Sequence, residues 1–209
     1  MTKPASPIVL HRFLLSGHCH RVELMLSLLG LPVSLVDVDL VDGEHKRPPF
    51  LAKNAFGQVP VIEDGGVVLA DSNAILVYLA SRYDEAGAWL PRDPARRAEV
   101  ERWLSVAAGP LAHGPATARL VRLFGKPDDV AAQDSAKRLL AIMEGEIAKR
   151  AFFAGGTPTI ADVALYAYTA RAPEGGVSLE PYPAVRRWLD RVEKLPGFVA
   201  MPAMPSQAS

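Results

Sequence analysis

The fold is decided by the stretch Asn54-Ala55-Phe56-Gly57-Gln58-Val59-Pro60-Val61-Ile62 and by the residues that follow it. An Asp-Gly turn joins its apolar end to a second apolar run, Val67-Val68-Leu69, and this pattern predicts a β-hairpin because the turn tolerates positive φ. Asp71-Ser72 then supplies N-cap residues for a helix with apolar positions at Ile75, Leu76 and Leu79. The sequence here predicts a β-β-α unit that ends near Tyr83.

The residues before this unit predict a β-α-β arrangement. Residues 8–13 form a short apolar run typical of a strand. The helix that follows has one apolar face, made by Val22, Met25, Leu26 and Leu29, and Gly30 lies where a C-terminal cap belongs. Val36, Val38 and Leu40 then alternate with Asp37 and Asp39, which predicts a strand with one buried face. A loop with at most one helical turn leads on to the hairpin.

The chain after Tyr83 reads as helical. Gly87, Pro91 and Pro94 indicate a linker over residues 84–94. Helical patterns follow at residues 95–108, 116–124, 128–150, 159–171 and 183–194, with a Gly- and Pro-containing break at 109–115. We therefore predict an α/β domain over 7–83, the linker 84–94, an all-helical domain over 95–200 and a loosely ordered tail over 201–209.

Composition excludes several classes of function. Lys and Arg total 23, as do Asp and Glu, so the chain lacks the basic excess of a nucleic-acid or anionic-lipid binder. No apolar run approaches the length of a membrane span, and no apolar leader precedes Ile8, so we expect a cytoplasmic protein. Cys19 is the only cysteine, which excludes an internal disulfide, and we expect no metal site.

Three motifs together resemble the glutathione transferase family, over about residues 8–198. They are Ser16-Gly17-His18-Cys19-His20-Arg21-Val22, the stretch 54–62 followed by Ala70-Asp71-Ser72-Asn73-Ala74-Ile75, and Thr157-Pro158-Thr159-Ile160-Ala161-Asp162-Val163-Ala164. The nearest resemblance is to bacterial, theta-like members that use a serine hydroxyl. It implies a glutathione transferase fold: an α/β N-terminal thioredoxin-like domain that holds glutathione, plus an all-α C-terminal helical domain.

The resemblance assigns the catalytic role to Ser16, whose hydroxyl would stabilise the glutathione thiolate. A free thiol has a pKa of about 8.5, and lowering it by two units needs about 2.7 kcal/mol of preferential thiolate stabilisation. Ser16 lies at the approach to the first helix, where its hydroxyl and the positive helix end can face the same anion. From the residues alone, a plain helix N-cap remains the alternative.

Cys19 is the rival nucleophile, because a cysteine at a helix N-terminus can have a depressed pKa and form a mixed disulfide with glutathione. The alternative, which serine-type relatives favour, is a buried residue with a structural role. His18 either lines the cleft and tunes the thiolate or is a solvated loop histidine.

The resemblance also implies the remaining glutathione contacts. A cis peptide bond at Val59-Pro60 would present the backbone of Val59 to the cysteinyl part of the tripeptide. Asp71 and Ser72 would hold the γ-glutamyl end, because a carboxylate pairs with its amino group and a hydroxyl with its carboxylate. His45 and Lys46, with Gln58 as a helper, would hold the glycine carboxylate, although these residues also read as a solvated loop.

The second substrate would bind between the domains. Trp103 and His113 are predicted to line that part of the cleft, and Arg119 and Tyr166 are candidates for substrate contact, with core packing as the alternative. Thr159-Ile160-Ala161-Asp162 predicts a capping box with a structural role.

The resemblance implies a glutathione S-transferase that conjugates its co-substrate glutathione to a small hydrophobic electrophile in detoxification, as a homodimer. A glutathione-dependent disulfide reductase or peroxidase is one alternative. A non-catalytic binding or interaction module is another.

Overall fold

The computed structural model describes residues 3–205 of the chain. Its N-terminal part contains β1 (Ile8–Arg12), α1 (Gly17–Leu28), β2 (Val33–Asp37), α2 (Pro48–Leu51), β3 (Val61–Asp64), β4 (Val67–Ala70) and α3 (Ser72–Tyr83). The four strands form one sheet in the order β2-β1-β3-β4, with β1 and β2 parallel and the other neighbours antiparallel. The predicted β-α-β and β-β-α units are confirmed.

The prediction for the second strand is wrong in extent and in burial. β2 ends at Asp37 and is an edge strand that pairs only with β1 among the described strands, so Leu35 and Val36 are 43% and 39% exposed. Val38 lies past the end of the strand and is buried in a small cluster with Phe50 of α2 and Val61 of β3. Of the alternating apolar residues, only Val38 is buried, and it lies in the connection after the strand.

Each end of α1 is closed as its sequence predicts. Ser16 is the N-cap, and its Oγ accepts a hydrogen bond from the Cys19 N–H at 3.3 Å. At the other end Gly30 has φ +61°, its N–H donates to Ser27 O, and the Leu31 N–H donates to Leu26 O. This is the glycine-terminated pattern that satisfies the last helical carbonyls. The four apolar residues predicted for one face of the helix, Val22, Met25, Leu26 and Leu29, are all buried.

The C-terminal part is all helical. It contains α4 (Pro94–Ala108), α5 (Thr117–Leu123), α6 (Val130–Ile147), α7 (Ile160–Ala170) and α8 (Pro183–Glu193). The predicted break between α4 and α5 is instead mostly a π-helical turn, Ala112–Ala116, that runs straight into α5. Pro115 lies inside this turn, and the Ala112 carbonyl accepts both the Thr117 N–H and, at 2.9 Å, the Thr117 hydroxyl.

One hydrophobic core crosses both parts of the molecule. Val22 of α1 and Leu76 of α3 belong to the same buried cluster as Trp103 of α4, Leu165 of α7 and Trp188 of α8. The capping box is confirmed, since Thr159 and Asp162 exchange both bonds at the start of α7. The protein is therefore an α/β thioredoxin-like domain joined to an all-α domain, and the exact limits 7–83, 84–94 and 95–200 stay a prediction.

The C-terminal segment differs from the expected loose tail. Met201 is 1% exposed and its carbonyl accepts from Arg171, while the Met204 N–H donates to Glu174 at 3.3 Å. These contacts hold the segment against α7 and the turn after it. Residues 206–209 of the predicted tail lie outside the described residues. Within the described part of the chain, no helix is both long and apolar enough to span a membrane.

Candidate active site

Two adjoining pockets lie beside Ser16 and the start of α3, and the first of them is lined by residues of both domains. The α5-side pocket has a volume of about 400 Å³ and includes Ser16, His45, Lys46, Arg119 and Tyr168 in its lining. The α3-side pocket, of about 420 Å³, is lined by Asn54, Phe56, Pro60, Ala70, Asp71 and Ser72. His18, Gln58 and Val59 line both pockets, so the two form a continuous cleft along the C-terminal end of β1 and the start of α3. A larger groove of about 790 Å³ contains none of the predicted site residues.

Ser16 lies where both of its predicted roles are available. The Ser16 N–H donates to Phe13 O at 2.9 Å, which closes the turn between β1 and α1, and its backbone is extended at φ −86°, ψ 120°. Its Oγ accepts the Cys19 N–H, and its one hydroxyl hydrogen is a further donor. Since Ser16 also lines the α5-side pocket, one hydroxyl can cap the helix and donate to an anion there.

Cys19 does not line the cleft, which corrects its placement there as a rival nucleophile and agrees with the alternative of a buried residue with a structural role. Its side chain is 1% exposed, it lines neither pocket, and its Sγ accepts the Phe13 N–H at 3.3 Å. Burial raises the pKa of the Cys19 thiol to about 11. The third residue of the helix turns its side chain toward the core, so the thiol is a small buried group and is protonated at neutral pH.

His18 lies at the boundary of the two pockets, on the first turn of α1 and not in a solvated loop. Its Nδ1 is 3.3 Å from Ser72 Oγ, and its ring meets the Tyr168 ring edge-on at a centroid distance of 5.1 Å. Desolvation by burial, with the positive charge of Arg21 nearby, lowers the pKa of His18 to about 3. The imidazole is therefore neutral at physiological pH.

Hydrogen bonds from Lys46 hold the loop that precedes Val59. The Lys46 Nζ donates to the carbonyls of Phe56 at 3.1 Å and Gly57 at 2.9 Å. Gly57 has φ +56°, and a Cβ on it would lie 2.7 Å from the His45 carbonyl, so this close approach requires glycine. The Val59–Pro60 peptide bond is cis, as the resemblance implied.

His45, Lys46 and Gln58 meet along one wall of the α5-side pocket. The His45 Nδ1 is buried and has no hydrogen-bond partner among the described residues. A buried polar atom without a partner is uncommon in a native structure, and a ligand is one way to satisfy it.

Asp71 and Ser72 begin α3 at the α3-side pocket. Asp71 has φ +71°, a region that non-glycine residues rarely adopt and that clusters at ligand sites, and its Oδ1 accepts the Ala74 N–H at 2.9 Å. Ser72 is 4% exposed, and its Oγ accepts from the Arg21 Nη1 at 2.8 Å.

Trp103 and His113 do not lie in the cleft, which corrects a second prediction. Trp103 is 1% exposed and packs against Phe153 at 4.4 Å between ring centroids. His113 is exposed, and both residues line a separate groove that also involves α6. The reason is the direction of α4: its buried face packs on α7, and the cleft wall begins only at the π-helical turn that follows. Tyr166 is also outside the cleft, and its hydroxyl donates to Glu193 at 2.8 Å.

The sequence analysis did not predict the positions of three residues at or near the cleft, or predicted them only in part. Tyr168 lines the α5-side pocket in place of Tyr166, two residues away on α7. Arg119 lines the same pocket, as the sequence allowed, and its Nη1 donates to the Leu15 carbonyl at 2.7 Å, one residue before Ser16. Arg21, which the sequence did not single out, lies behind Ser72. The apolar side chains on the wall are Phe13, Leu15, Leu40, Leu120, Leu123 and Phe124.

This donor set fits a small anionic peptide better than a metal ion. Among residues 3–205, no group of three or more His, Cys, Asp or Glu side chains is arranged to hold a metal. The cleft instead is lined by hydroxyls, a lysine, a helix start and several apolar side chains.

Comparisons with known proteins agree with this geometry. Residues 10–87 match the family "Glutathione S-transferase, N-terminal domain" and residues 108–196 match "Glutathione S-transferase, C-terminal domain". The chain is 35% identical to Glutathione S-transferase 3 of Zea mays, over 98% of this chain and 99% of that protein. It is 34% identical to the maleylacetoacetate isomerase of Pseudomonas aeruginosa, over 90% and 92%.

A solved structure gives the same result. The crystal structure of a glutathione S-transferase from Pseudomonas fluorescens Pf-5 superimposes with a TM-score of 0.88 at 35% identity, covering 94% of this chain and 99% of that one. With both domains matched and full-length relatives above 30% identity, the chain belongs to the glutathione transferase family and is a glutathione transferase.

Proposed function

We propose that the protein binds glutathione across the two pockets, holds its sulfur as a thiolate through the Ser16 hydroxyl, and transfers that sulfur to a small hydrophobic electrophile. The observation that carries the proposal is the position of Ser16. Its hydroxyl opens onto a pocket with apolar walls, and this pocket continues into the start of α3.

Glutathione would lie with its γ-glutamyl end in the α3-side pocket. Asp71 would pair with the amino group, and the Ser72 hydroxyl would donate to the α-carboxylate. The Val59 backbone would pair with the cysteinyl residue as an added strand does. Lys46, His45 and Gln58 would hold the glycine carboxylate, which supplies a partner for the His45 Nδ1.

The thiol would lose its proton because two groups favour the anion. A hydrogen bond to a charged group contributes about 1.5–3 kcal/mol. The N-terminus of a helix adds about 0.3–1 kcal/mol. Their sum matches the roughly 2.7 kcal/mol needed to lower a thiol pKa by two units.

The second substrate would occupy the apolar part of the α5-side pocket. There the thiolate attacks an electrophilic carbon, a C–S bond forms, and the leaving group departs with its electron pair. Phe13, Leu120 and Phe124 supply apolar surface, which favours a small hydrophobic substrate such as a chloronitrobenzene. We further propose that the protein is cytoplasmic and forms a homodimer, and analytical ultracentrifugation tests the dimer.

The alternative of disulfide reduction through Cys19 is disfavoured by its burial, since a thiol with 1% exposure cannot reach a disulfide in the cleft. A reductase or peroxidase that uses the glutathione thiolate itself would act at Ser16. The presence of Ser16, Asp71 and Ser72 together in one cleft argues against a non-catalytic module.

The test is a pH titration of the ultraviolet absorbance of bound glutathione thiolate, in the wild type, Ser16→Ala and Ser16→Thr. We expect a thiol pKa clearly below 8.5 in the wild type and in the threonine variant. Alanine should raise it by at least about one unit and lower kcat/KM for 1-chloro-2,4-dinitrobenzene by about 10²-fold, as loss of a donor to a reacting anion does. Equal titration curves in wild type and alanine variant would overturn the role of Ser16.

A further inference from the structure

The side chain of Arg21 is buried directly behind the start of α3. It lies on α1, it is 1% exposed, and its Nη1 donates to Ser72 Oγ and to Asn73 Oδ1, each at 2.8 Å. Asn73 is in turn fixed by its Nδ2, which donates to the Leu104 carbonyl of α4 at 2.9 Å. The guanidinium is therefore held in one position by both domains.

This guanidinium has no direct counter-charge. Neither its Nε nor its Nη2 has a hydrogen-bond partner, and no carboxylate forms an ion pair with it, among residues 3–205. Asp71 acts on it only at longer range, and Asp71 is exposed, so water screens that attraction. Burial lowers the pKa of Arg21 to about 10, which leaves it cationic at neutral pH. A buried charge without a partner destabilises the free protein.

Arg21 also fixes what Ser72 can do. A serine hydroxyl has one hydrogen to donate and two lone pairs, and the Arg21 N–H occupies one lone pair. The remaining hydrogen can point to His18 Nδ1, at 3.3 Å, or into the α3-side pocket that Ser72 lines. The cation behind the oxygen polarises the O–H bond, so Ser72 is a strong donor toward an anion in that pocket.

We infer that Arg21 is a positioning residue whose missing counter-charge is the α-carboxylate of the bound γ-glutamyl group, which it reaches through the Ser72 hydroxyl. This inference rests on the proposed function, because it takes glutathione as the occupant of the cleft. On this inference, the buried charge of Arg21 destabilises the free protein and stabilises the complex with glutathione.

Two opposite effects of one substitution follow. Arg21→Met replaces the cation by an apolar side chain of similar length, so the free protein should melt at the same temperature or higher. The same variant should bind glutathione about tenfold more weakly, because the carboxylate then meets a hydroxyl that no cation supports. A residue needed only for packing would lower both quantities.

The experiment measures binding by isothermal titration calorimetry with two ligands. One is glutathione, and the other is 4-aminobutyryl-Cys-Gly, which lacks only the α-carboxylate. In Arg21→Met we expect about tenfold weaker binding of glutathione and less than about a twofold change for the analogue. Arg21→Lys keeps the charge on a shorter side chain that does not reach the position of Nη1, so about a threefold selective loss is expected.

Each outcome is decisive. Equal weakening for both ligands, or a melting temperature of free Arg21→Met well below that of the wild type, overturns the inference. If Arg21→Met does not fold, the ratio of the two losses in Arg21→Lys decides, and a ratio of one overturns it. Failure of the wild type to bind glutathione at all rejects the proposed function instead.

Discussion

The ring of Tyr168 in α7 lies directly over the backbone of Gly17 at the start of α1. A Cβ on Gly17 would lie 2.7 Å from the Tyr168 Cζ and less than 3 Å from both Cε atoms. Gly17 follows Ser16, so this contact sets the distance between the helical domain and the reacting hydroxyl.

Gly17→Ala should therefore destabilise the protein and lower its activity. Overpacking of a tight site costs about 1–3 kcal/mol, and here the strain would displace Ser16. The measurements are urea denaturation and kcat/KM with glutathione. Adding Tyr168→Ala should restore part of the lost activity by removing the clash. Gly17→Ala with wild-type activity would contradict the contact.

Cys19 should be inert. Because its pKa is raised to about 11 and its side chain is buried, the folded wild type should react with a maleimide many times more slowly than the same protein in urea. Cys19→Ala should keep kcat within about twofold, with a modest loss of stability from the small volume removed. Loss of activity in Cys19→Ala alone would point to chemistry at sulfur.

His18 should make the protein sensitive to acid. Its pKa is about 3 in the folded state and about 6.5 in the unfolded state, so below pH 6.5 the unfolded state binds more protons and the free energy of unfolding falls as the pH falls. His18→Gln should reduce this slope by up to about 1.4 kcal/mol per pH unit between pH 6 and about 4.

Denaturation in urea at several pH values measures the slope for His18. His113→Gln, at an exposed position outside the cleft, is the matched control. The pKa of His20 is also lowered by burial, so part of the acid sensitivity should survive in His18→Gln. Identical slopes in the wild type and His18→Gln would reject the neutral, desolvated imidazole.

Lys46 should act on the glycine end of glutathione. Lys46→Met should weaken glutathione binding by about five- to tenfold and leave binding of the glycyl ethyl ester nearly unchanged, because the ester lacks the charge that the lysine meets. Lys53→Met is the control, since Lys53 pairs with Glu63 and lines neither pocket. Equal losses for both ligands would mean that Lys46 acts only by holding the Phe56 and Gly57 carbonyls.

Removing the Asp162 side chain should lower the free energy of unfolding much more than removing a helix N-cap side chain that makes one hydrogen bond. It is 1% exposed and accepts bonds from the N–H groups of Phe153 and Thr159 and from the Trp188 indole. Asp162→Ala leaves these donors unpaired, at about 1–3 kcal/mol each.

The matched control for Asp162 is Asp129→Ala, because Asp129 caps α6 through one bond to Ala132 and should cost only about 1 kcal/mol. Urea denaturation of both variants measures the difference. Equal losses would show that the buried network adds nothing to the cap.

Three elements of the fold were predictable because their sequence signals are local. The Asp-Gly turn, the N-cap pair Asp71-Ser72 and the capping box at Thr159 each act within a few residues, and each forms as expected. The edge position of β2 is set by which strand pairs with which, and so the exposure of Val36 could not be derived from its own pattern.

The far wall of the cleft shows the same limit. Tyr166 and Tyr168 are two residues apart on α7 and so point in different directions, but only the packing of α7 against α1 decides which one faces Ser16. Trp103 was misplaced for this reason. Arg21 gave no signal at all, because a lone arginine on an amphipathic helix usually lies at the surface.

One continuous buried cluster includes residues of α1, α3 and α7, so the stability of each domain depends on the other. A fragment ending at Tyr83 would expose to water the surfaces of α1 and α3 that pack on α7, and the helical remainder would expose the matching surface of α7. Neither piece would stay dissolved and folded by itself, and melting should proceed in a single step. The Ser16 hydroxyl and the part of the cleft formed by the helical domain therefore form together on folding and are lost together on unfolding.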